Sequence, residues 1–239
     1  MPERIKSRAE RRAQQLRRAY ELMRDRFGHQ RWWPGETPFE VCVGAILTQN
    51  TSWTNVERAI ARLKSASALD PQSMFALPET ELAQLIRPAG YFNVKARRLR
   101  SFLRVLVEEY GGELHLLFAG ETAIVRQRLL DINGIGPETA DSLLLYAGGH
   151  HSFVVDAYTK RIFSRHRWCS ADADYDSLKQ LCDSALTEKP VSERLDYWQD
   201  YHAQLVMVGK HYCRKSQLRC SDCPLHSLMP NNNCIKAEL

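Results

Sequence analysis

The chain has 239 residues, of which 44% are hydrophobic and 26% are charged, and its formal net charge is +5. This is the composition of an ordinary globular protein, and it excludes an intrinsically disordered or fibrous chain. No run of about 18 apolar residues occurs, so no membrane span is predicted, and the modest positive charge permits a polyanionic partner.

The first predicted element is a basic helix that ends at Gly28. The segment lacks the apolar core of a signal peptide, so a cytoplasmic protein is expected. Its basic residues form either a solvated helix face or an edge that contacts phosphates, and the sequence leaves both interpretations open. These residues are Arg4, Lys6, Arg8, Arg11, Arg12, Arg17 and Arg18.

Apolar residues then recur at helical spacing along most of the chain. No segment shows sustained alternation of apolar and polar residues, and the one β-like stretch, HHSFVVDAY, is short. An all-α fold is therefore predicted. The helical segments after the first loop are PFEVCVGAILTQNTSW, TNVERAIARLKSA, DPQSMFALPETELAQLIRPAG, NVKARRLRSFLRVLVEEYGG, ETAIVRQRLLDING, PETADSLLLYAGG, DAYTKRIFSRH, SLKQLCDSALTE and ERLDYWQDYHAQLVMVGKHYC.

The sequence Gly134-Ile135-Gly136-Pro137 lies between two of these helical segments. Glycine adopts positive φ without penalty and can end a helix, and proline suits the first turn of the next one. The pattern predicts two helices joined by a tight hairpin. Backbone N–H groups at such a helix start bind anions, so the hairpin is either a plain turn or a phosphate site.

Asp156 follows a short apolar run and precedes a helical segment. An aspartate at this position is commonly an N-cap. The same carboxylate can also point into a cleft and oppose a positive charge. The sequence alone leaves both roles open.

The order of these features resembles the helix-hairpin-helix DNA glycosylases of the endonuclease III superfamily. The resemblance rests on FEVCVGAILTQNTSWTNVERAIARLK, AGYFNVKARRLRSFL, the hairpin followed by Asp156, and a C-terminal group of cysteines. It implies a six-helix barrel domain over residues 38–148. It also implies a helical domain built from both termini, residues 1–37 and 149–239, with an iron–sulfur cluster loop at 213–234.

Four cysteines fall near the C-terminus with the spacing C-x6-C-x2-C-x10-C. Zinc sites usually show two short pairs, whereas four thiolates also suit an iron–sulfur cluster. The resemblance implies a [4Fe–4S] cluster with a structural role, and zinc or no metal are the alternatives. The last gap is longer than the family pattern, so either the insertion bulges or the fourth cysteine does not bind. The expected ligands are Cys213, Cys220, Cys223 and Cys234.

The resemblance implies that Asp156 is the catalytic residue. Positive charge builds on the sugar as a base leaves, and a fixed carboxylate stabilises it and orients water. In members that also nick the DNA backbone, a lysine two residues after the second glycine forms a Schiff base. Here that position is Glu138, which favours a monofunctional enzyme that uses water, unless Lys160 or Lys210 substitutes.

Four residues beside predicted loops are expected to surround the flipped base. They are either packing residues or a clamp whose indole faces attract a cationic base. The flanking sequence looks most like the endonuclease III-like 3-methyladenine glycosylases, which implies an N-alkylated purine substrate. The residues are Trp32, Trp33, Pro34 and Trp53.

The resemblance also implies a set of DNA contacts. Gln49 matches a residue that fills the gap left by the flipped base. Tyr91 or Phe92 matches an intercalating wedge, with core packing as the alternative for each. Lys95 is either a phosphate contact or only a solvated surface lysine, and the hairpin residues Gly134, Ile135 and Gly136 are expected to contact a phosphate.

The resulting hypothesis is a monomeric base-excision glycosylase that acts on damaged double-stranded DNA at the nucleoid. It hydrolyses the N-glycosidic bond of an alkylated purine such as 3-methyladenine. One alternative is a bifunctional glycosylase and lyase acting on oxidised pyrimidines. Another is a non-catalytic DNA-binding module, in which Asp156 only caps its helix.

Overall fold

The computed structural model of the protein describes residues 7–32 and 35–230. Every regular element in these residues is helical, and none is a β-strand, which confirms the all-α prediction. The described helices include none that is both long and apolar enough to cross a bilayer.

The chain divides into two compact units, Trp33–Ser152 and a unit formed by Met1–Trp32 with Phe153–Leu239. The first unit contains α2 (Pro38–Leu47), α3 (Trp53–Ser65), α4 (Pro71–Ala76), α5 (Glu79–Leu85), α6 (Phe92–Arg104), α7 (Leu114–Leu117), α8 (Thr122–Leu130) and α9 (Pro137–Tyr146). The second contains α1 (Arg8–Phe27), α10 (Ala157–Arg165), α11 (Tyr175–Ala185) and α12 (Val191–His211). Short 3₁₀ turns occur at Arg87–Ala89 and His226–Leu228, and a π-helical turn at Val105–Glu109 extends α6.

Helix α2 lies at the centre of the first unit. Every residue from Phe39 to Leu47 is buried, and all of them except Glu40 are apolar, as expected of a helix surrounded by the core. Thr37 caps its start, because the threonine hydroxyl accepts a hydrogen bond from the Glu40 N–H at 3.1 Å. Packing around α2 therefore fixes the position of the residues that follow its C-terminus.

A buried ion pair joins α8 to α9 beside the predicted hairpin. Arg126 donates from Nε and Nη2 to the two oxygens of Asp141 at 2.9 and 3.2 Å. The Asp141 side chain is completely buried and also accepts a hydrogen bond from the Ser152 hydroxyl at 2.5 Å. A bidentate, largely buried ion pair of this kind restricts the orientation of α8 relative to α9.

In the second unit, the Asp200 carboxylate on α12 accepts hydrogen bonds from α1 and from the loop that follows it. The Tyr20 hydroxyl and the Arg24 guanidinium donate to Oδ2 at 2.8 and 2.9 Å. The Gln30 N–H donates to Oδ1 at 2.8 Å. These bonds hold the residues that directly follow α1.

Helices α10 and α12 approach closely at a glycine. A Cβ atom on Gly209 would lie 2.1 Å from the Tyr158 ring, so only glycine permits this contact. The contact places the first turn of α10 beside α12. It thereby brings Asp156, which precedes α10, near His202 of α12.

Candidate active site and nucleic-acid interface

The predicted hairpin is present between α8 and α9. Gly134 has φ of 90°, and the buried Ile135 donates its N–H to Ile132 O at 3.0 Å to close the turn. Gly136 is the N-cap of α9, and Pro137 is its first residue. The hairpin thus has the local structure that its glycines and proline predict.

The two hairpin glycines have different steric surroundings. A Cβ on Gly134 would lie 2.4 Å from Cγ of Arg98, because the arginine stem crosses the loop there. A Cβ on Gly136 would meet nothing within 4 Å, so this exposed position is open to an approaching ligand. Among the described residues, none accepts a hydrogen bond from the Gly136 N–H.

Gln49 is bonded to the hairpin through its side chain. Its Nε2 donates to Gly134 O at 3.2 Å and to the Thr139 hydroxyl oxygen at 2.9 Å. Its Oε1 accepts a hydrogen bond from Nη1 of Arg98. The sequence predicts Gln49 and the hairpin as separate DNA contacts, whereas the structure joins them directly through Nε2 of Gln49.

The expected phosphate contact at Lys95 is contradicted by its position. The side chain is 1% exposed, and its ammonium donates to Leu47 O at 2.8 Å and Ala89 O at 2.7 Å. Burial, together with the nearby charge of Arg98, lowers the pKa of Lys95 to about 8. Lys95 therefore holds the carbonyl ends of α2 and of the Arg87–Ala89 turn and is not available to DNA.

Tyr91 and Phe92 differ in exposure. Tyr91 is 73% exposed in a left-handed backbone conformation with φ of 45°, a strained state for a non-glycine residue. Phe92 packs partly against the core, and the Arg87 guanidinium lies 6.0 Å from its ring centre. Of the two, Tyr91 presents the projecting ring that an intercalating wedge requires.

Asp156 caps α10 and also faces a histidine. Its Oδ1 accepts hydrogen bonds from the Thr159 N–H at 2.7 Å and the Thr159 hydroxyl at 2.9 Å. Its Oδ2 lies 3.5 Å from Nε2 of His202, an ion-pair separation that is long for a direct hydrogen bond. The aspartate side chain is 13% exposed and that of the histidine 7%.

The surroundings of Asp156 favour its ionised form. Burial raises the pKa of the carboxyl group, but His202 and the Thr159 donors lower the pKa by more, so it falls below its usual value. Asp156 is therefore a carboxylate at neutral pH, held at a helix start where negative charge is favoured. Such a group can oppose a positive charge that develops beside it.

The described tryptophans of the expected base clamp each have a polar neighbour. The Lys210 ammonium lies 5.3 Å from the ring centre of Trp32. Trp53 begins α3, packs partly against the core, and donates from Nε1 to Glu57 at 2.8 Å. The other two expected clamp residues, Trp33 and Pro34, lie outside the described residues.

Three of the expected cluster ligands, Cys213, Cys220 and Cys223, line one cavity. Cys213 and Cys223 are free thiols, burial raises the pKa of Cys223 to about 11, and Cys220 is disulfide-bonded. The part of the chain that the structure describes contains no group of three or more metal-binding side chains arranged around a common ion position. Cys234 lies outside that part.

Sequence reasoning missed His202, Arg98 and Thr139. Each contacts an expected site residue from a distant segment, or through packing that no local pattern records. His202 lies within a long helix among mostly buried neighbours, where a histidine is unremarkable in sequence. Only the approach of α12 to α10 reveals its partner.

Residues 43–188 match the family model of the HhH-GPD superfamily base excision DNA repair proteins. MJ1434 of Methanocaldococcus jannaschii, provisionally named a DNA repair glycosylase, is 48% identical over 207 residues, which cover 86% of this chain and 91% of that protein.

Two solved structures are also similar. A non-covalent endonuclease III–DNA complex gives a TM-score of 0.76 at 24% identity and covers 92% of this chain and 96% of that one, a likeness of fold. The H. pylori 3-methyladenine DNA glycosylase MagIII bound to 1,N6-ethenoadenine gives a TM-score of 0.71 at 26% identity and covers 83% and 97%.

The buried ammonium of Lys95 predicts a pH dependence of stability. Its folded pKa of about 8 lies below the ordinary 10.5, so the unfolded chain binds more protons between these values. The free energy of unfolding of the wild type, minus that of Lys95→Met, should therefore rise by up to about 3 kcal/mol from pH 7.5 to 10.5. Urea unfolding of both proteins across this range measures the difference, and a flat difference would contradict the burial of a charged lysine.

Proposed function

The chain belongs to the HhH-GPD superfamily of base excision DNA repair proteins, and from this premise we propose that it is a monofunctional glycosylase acting on alkylated purines. The observation that carries the proposal is the ionised Asp156, held at the start of α10 by Thr159 and faced by His202. The substrate is a damaged base flipped out of duplex DNA.

Asp156 is suited to stabilise the transition state of base release. As the N-glycosidic bond breaks, positive charge develops on the deoxyribose, and a fixed carboxylate opposes it without needing to reorient. Thr159 restrains Oδ1, while Oδ2 is the oxygen that faces His202. The same carboxylate orients the water that attacks the sugar.

Water is the proposed nucleophile because the amine of the bifunctional relatives has no counterpart at the expected position. Glu138 is exposed in the first turn of α9, and a carboxylate cannot form an imine. Of the two lysines considered as substitutes, Lys210 holds its ammonium 5.3 Å from the ring centre of Trp32.

Two observations support an alkylated purine as the substrate. One is the similarity to MagIII, a 3-methyladenine glycosylase, at 26% identity over most of both chains. The other is that the face of Trp32 already attracts a cation, the Lys210 ammonium. N-alkylated purines carry a positive charge and leave easily, so an indole face and one carboxylate are sufficient.

The DNA contacts of the proposal lie in the unit Trp33–Ser152. The open backbone of the hairpin at Gly136 binds a phosphate, as helix starts do. Gln49 enters the gap left by the base, and the exposed Tyr91 ring is the wedge that separates the neighbouring base step. Lys95 has no part in this contact because it is buried.

We also propose that the cysteine loop holds a [4Fe–4S] cluster with a structural role. The proposal is supported by three of the four cysteines, which line one cavity with apolar walls at Val208, Leu225 and Met229. Arg165 donates to Cys213 Sγ at 3.1 Å, which places a guanidinium beside this proposed ligand. The required ligand set is Cys213, Cys220, Cys223 and Cys234, with Cys220 in its reduced form.

The cysteine loop is attached to the helix that Asp156 caps. Arg161 on α10 donates to Cys213 O at 2.7 Å, and Arg165 donates to Arg214 O at 2.8 Å. The two ends of α10 therefore serve different purposes, with the carboxylate at its start and the loop anchors toward its end. A cluster would stabilise this attachment and take no part in bond cleavage.

The catalytic role of Asp156 is tested by Asp156→Asn against Asp174→Asn. Asp174 caps α11 in the same manner, and asparagine is an equally good N-cap, so both variants should fold. Single-turnover release of 3-methyladenine from alkylated duplex DNA should fall about 100-fold or more in Asp156→Asn only.

Release rates that are equal in the two variants would mean that Asp156 is only a cap. A panel that includes thymine-glycol duplexes distinguishes the alternatives. Release of the oxidised pyrimidine alone would favour the bifunctional enzyme. Tight, salt-dependent binding without release of any base would favour a non-catalytic module.

The cluster is tested by the metal content of protein purified without oxygen. We expect about four iron atoms and four sulfides per chain and an iron–sulfur absorption band in visible light. Cys220→Ser should lose most of the iron, whereas Cys169→Ser, which removes a thiol outside the loop, should retain it. Stoichiometric zinc, or the absence of metal, would contradict the proposal.

A further inference from the structure

The amide of Gln49 is almost fully used by the protein itself. Both Nε2 hydrogens are donated, one to Gly134 O and one to the Thr139 hydroxyl. Oε1 accepts from Arg98 and retains only one further lone pair. In this conformation Gln49 has no donor left for an unpaired base, so it must leave these partners before it can fill a gap in DNA.

Arg98 is a cation without a carboxylate partner among the residues that the structure describes. Its guanidinium bonds a neutral amide oxygen, and its charge is close enough to Lys95 to lower the pKa of that lysine. A half-buried guanidinium beside another cation is better satisfied by an anion than by an amide. Its stem crosses Gly134, which places this unpaired charge on the hairpin.

We propose that Arg98 binds a DNA phosphate at the hairpin. In the free protein Arg98 holds Gln49 in what we call the parked conformation, in which the Gln49 amide is bonded to Arg98, Gly134 and Thr139, and DNA binding releases Gln49 from it. The proposal deepens the proposed function, because it takes from it that Gln49 enters the gap left by the base. It assigns a ligand, the phosphodiester group, to a side chain that the family resemblance did not single out.

The exchange follows from the relative strength of the bonds. A guanidinium–phosphate pair is charge-assisted and has two parallel bonds, whereas the guanidinium–amide bond is made to a neutral acceptor. When phosphate takes Arg98, Gln49 keeps only its neutral bonds to Thr139 and Gly134. Phosphate binding at the hairpin and insertion of Gln49 are thereby coupled.

The phosphate contact is tested by the salt dependence of binding to an undamaged duplex. Loss of one phosphate contact should reduce the slope of log K against log[salt] by about 0.9 in Arg98→Ala, while Arg98→Lys should keep the slope. Arg104→Ala, which removes an exposed arginine from the same helix, is the matched control and should leave it unchanged. An unchanged slope in Arg98→Ala, or an equal loss in Arg104→Ala, overturns the proposal.

Parking is tested with a duplex that carries a tetrahydrofuran analogue of an abasic site. Thr139→Val removes one parking bond at constant shape, so the preference for this duplex over the undamaged one should rise about 2- to 10-fold. The gain should disappear when Gln49→Ala is combined with it. A gain that survives without Gln49, or no gain, overturns the parked conformation.

These binding measurements need no base release. If the protein releases no base but shows the expected salt slopes and duplex preferences, the proposed glycosylase activity is wrong and the phosphate contact of Arg98 is upheld. If it releases base but the Arg98→Ala variant has an unchanged salt slope, the glycosylase activity is upheld and the phosphate contact of Arg98 is wrong.

Discussion

The hairpin between α8 and α9 depends on the absence of a side chain at Gly134. The Arg98 stem occupies the space that a Cβ would need, and the backbone there has φ of 90°. Because the stem passes so close, the Arg98 guanidinium reaches Gln49, and Gln49 in turn bonds the hairpin. One glycine therefore permits both the reversal between α8 and α9 and the side-chain network on top of it.

In the other unit, Gly209 likewise permits a close contact because it has no side chain. The close contact with Tyr158 brings α12 to the start of α10, and His202 then faces Asp156. The aspartate would cap its helix without this neighbour, but burial alone would raise its pKa. The histidine and Thr159 reverse that effect. The capping role of Asp156 and its proposed catalytic role are thus compatible, since both require the ionised carboxylate in the same place.

Local patterns in the sequence were sufficient for the helices, for the hairpin and for the cap at Asp156, because neighbouring residues determine these features. They were insufficient for Lys95, which looked like a surface cation on an amphipathic helix. The structure buries it against two carbonyl groups that come from other segments. Arg98, the partner of Gln49, and His202, the partner of Asp156, could not be predicted from the sequence for the same reason. Packing between distant segments creates their contacts.

The central claim is that water, guided by Asp156, replaces the amine that the bifunctional relatives use. Glu138 stands where that amine is expected, and Lys210 lies on Trp32. The most direct test is to incubate the protein with duplex DNA containing the damaged base and then reduce with sodium borohydride. The account predicts released base, intact abasic strands and no protein–DNA adduct. A borohydride-stable adduct would show attack by an amine and contradict it.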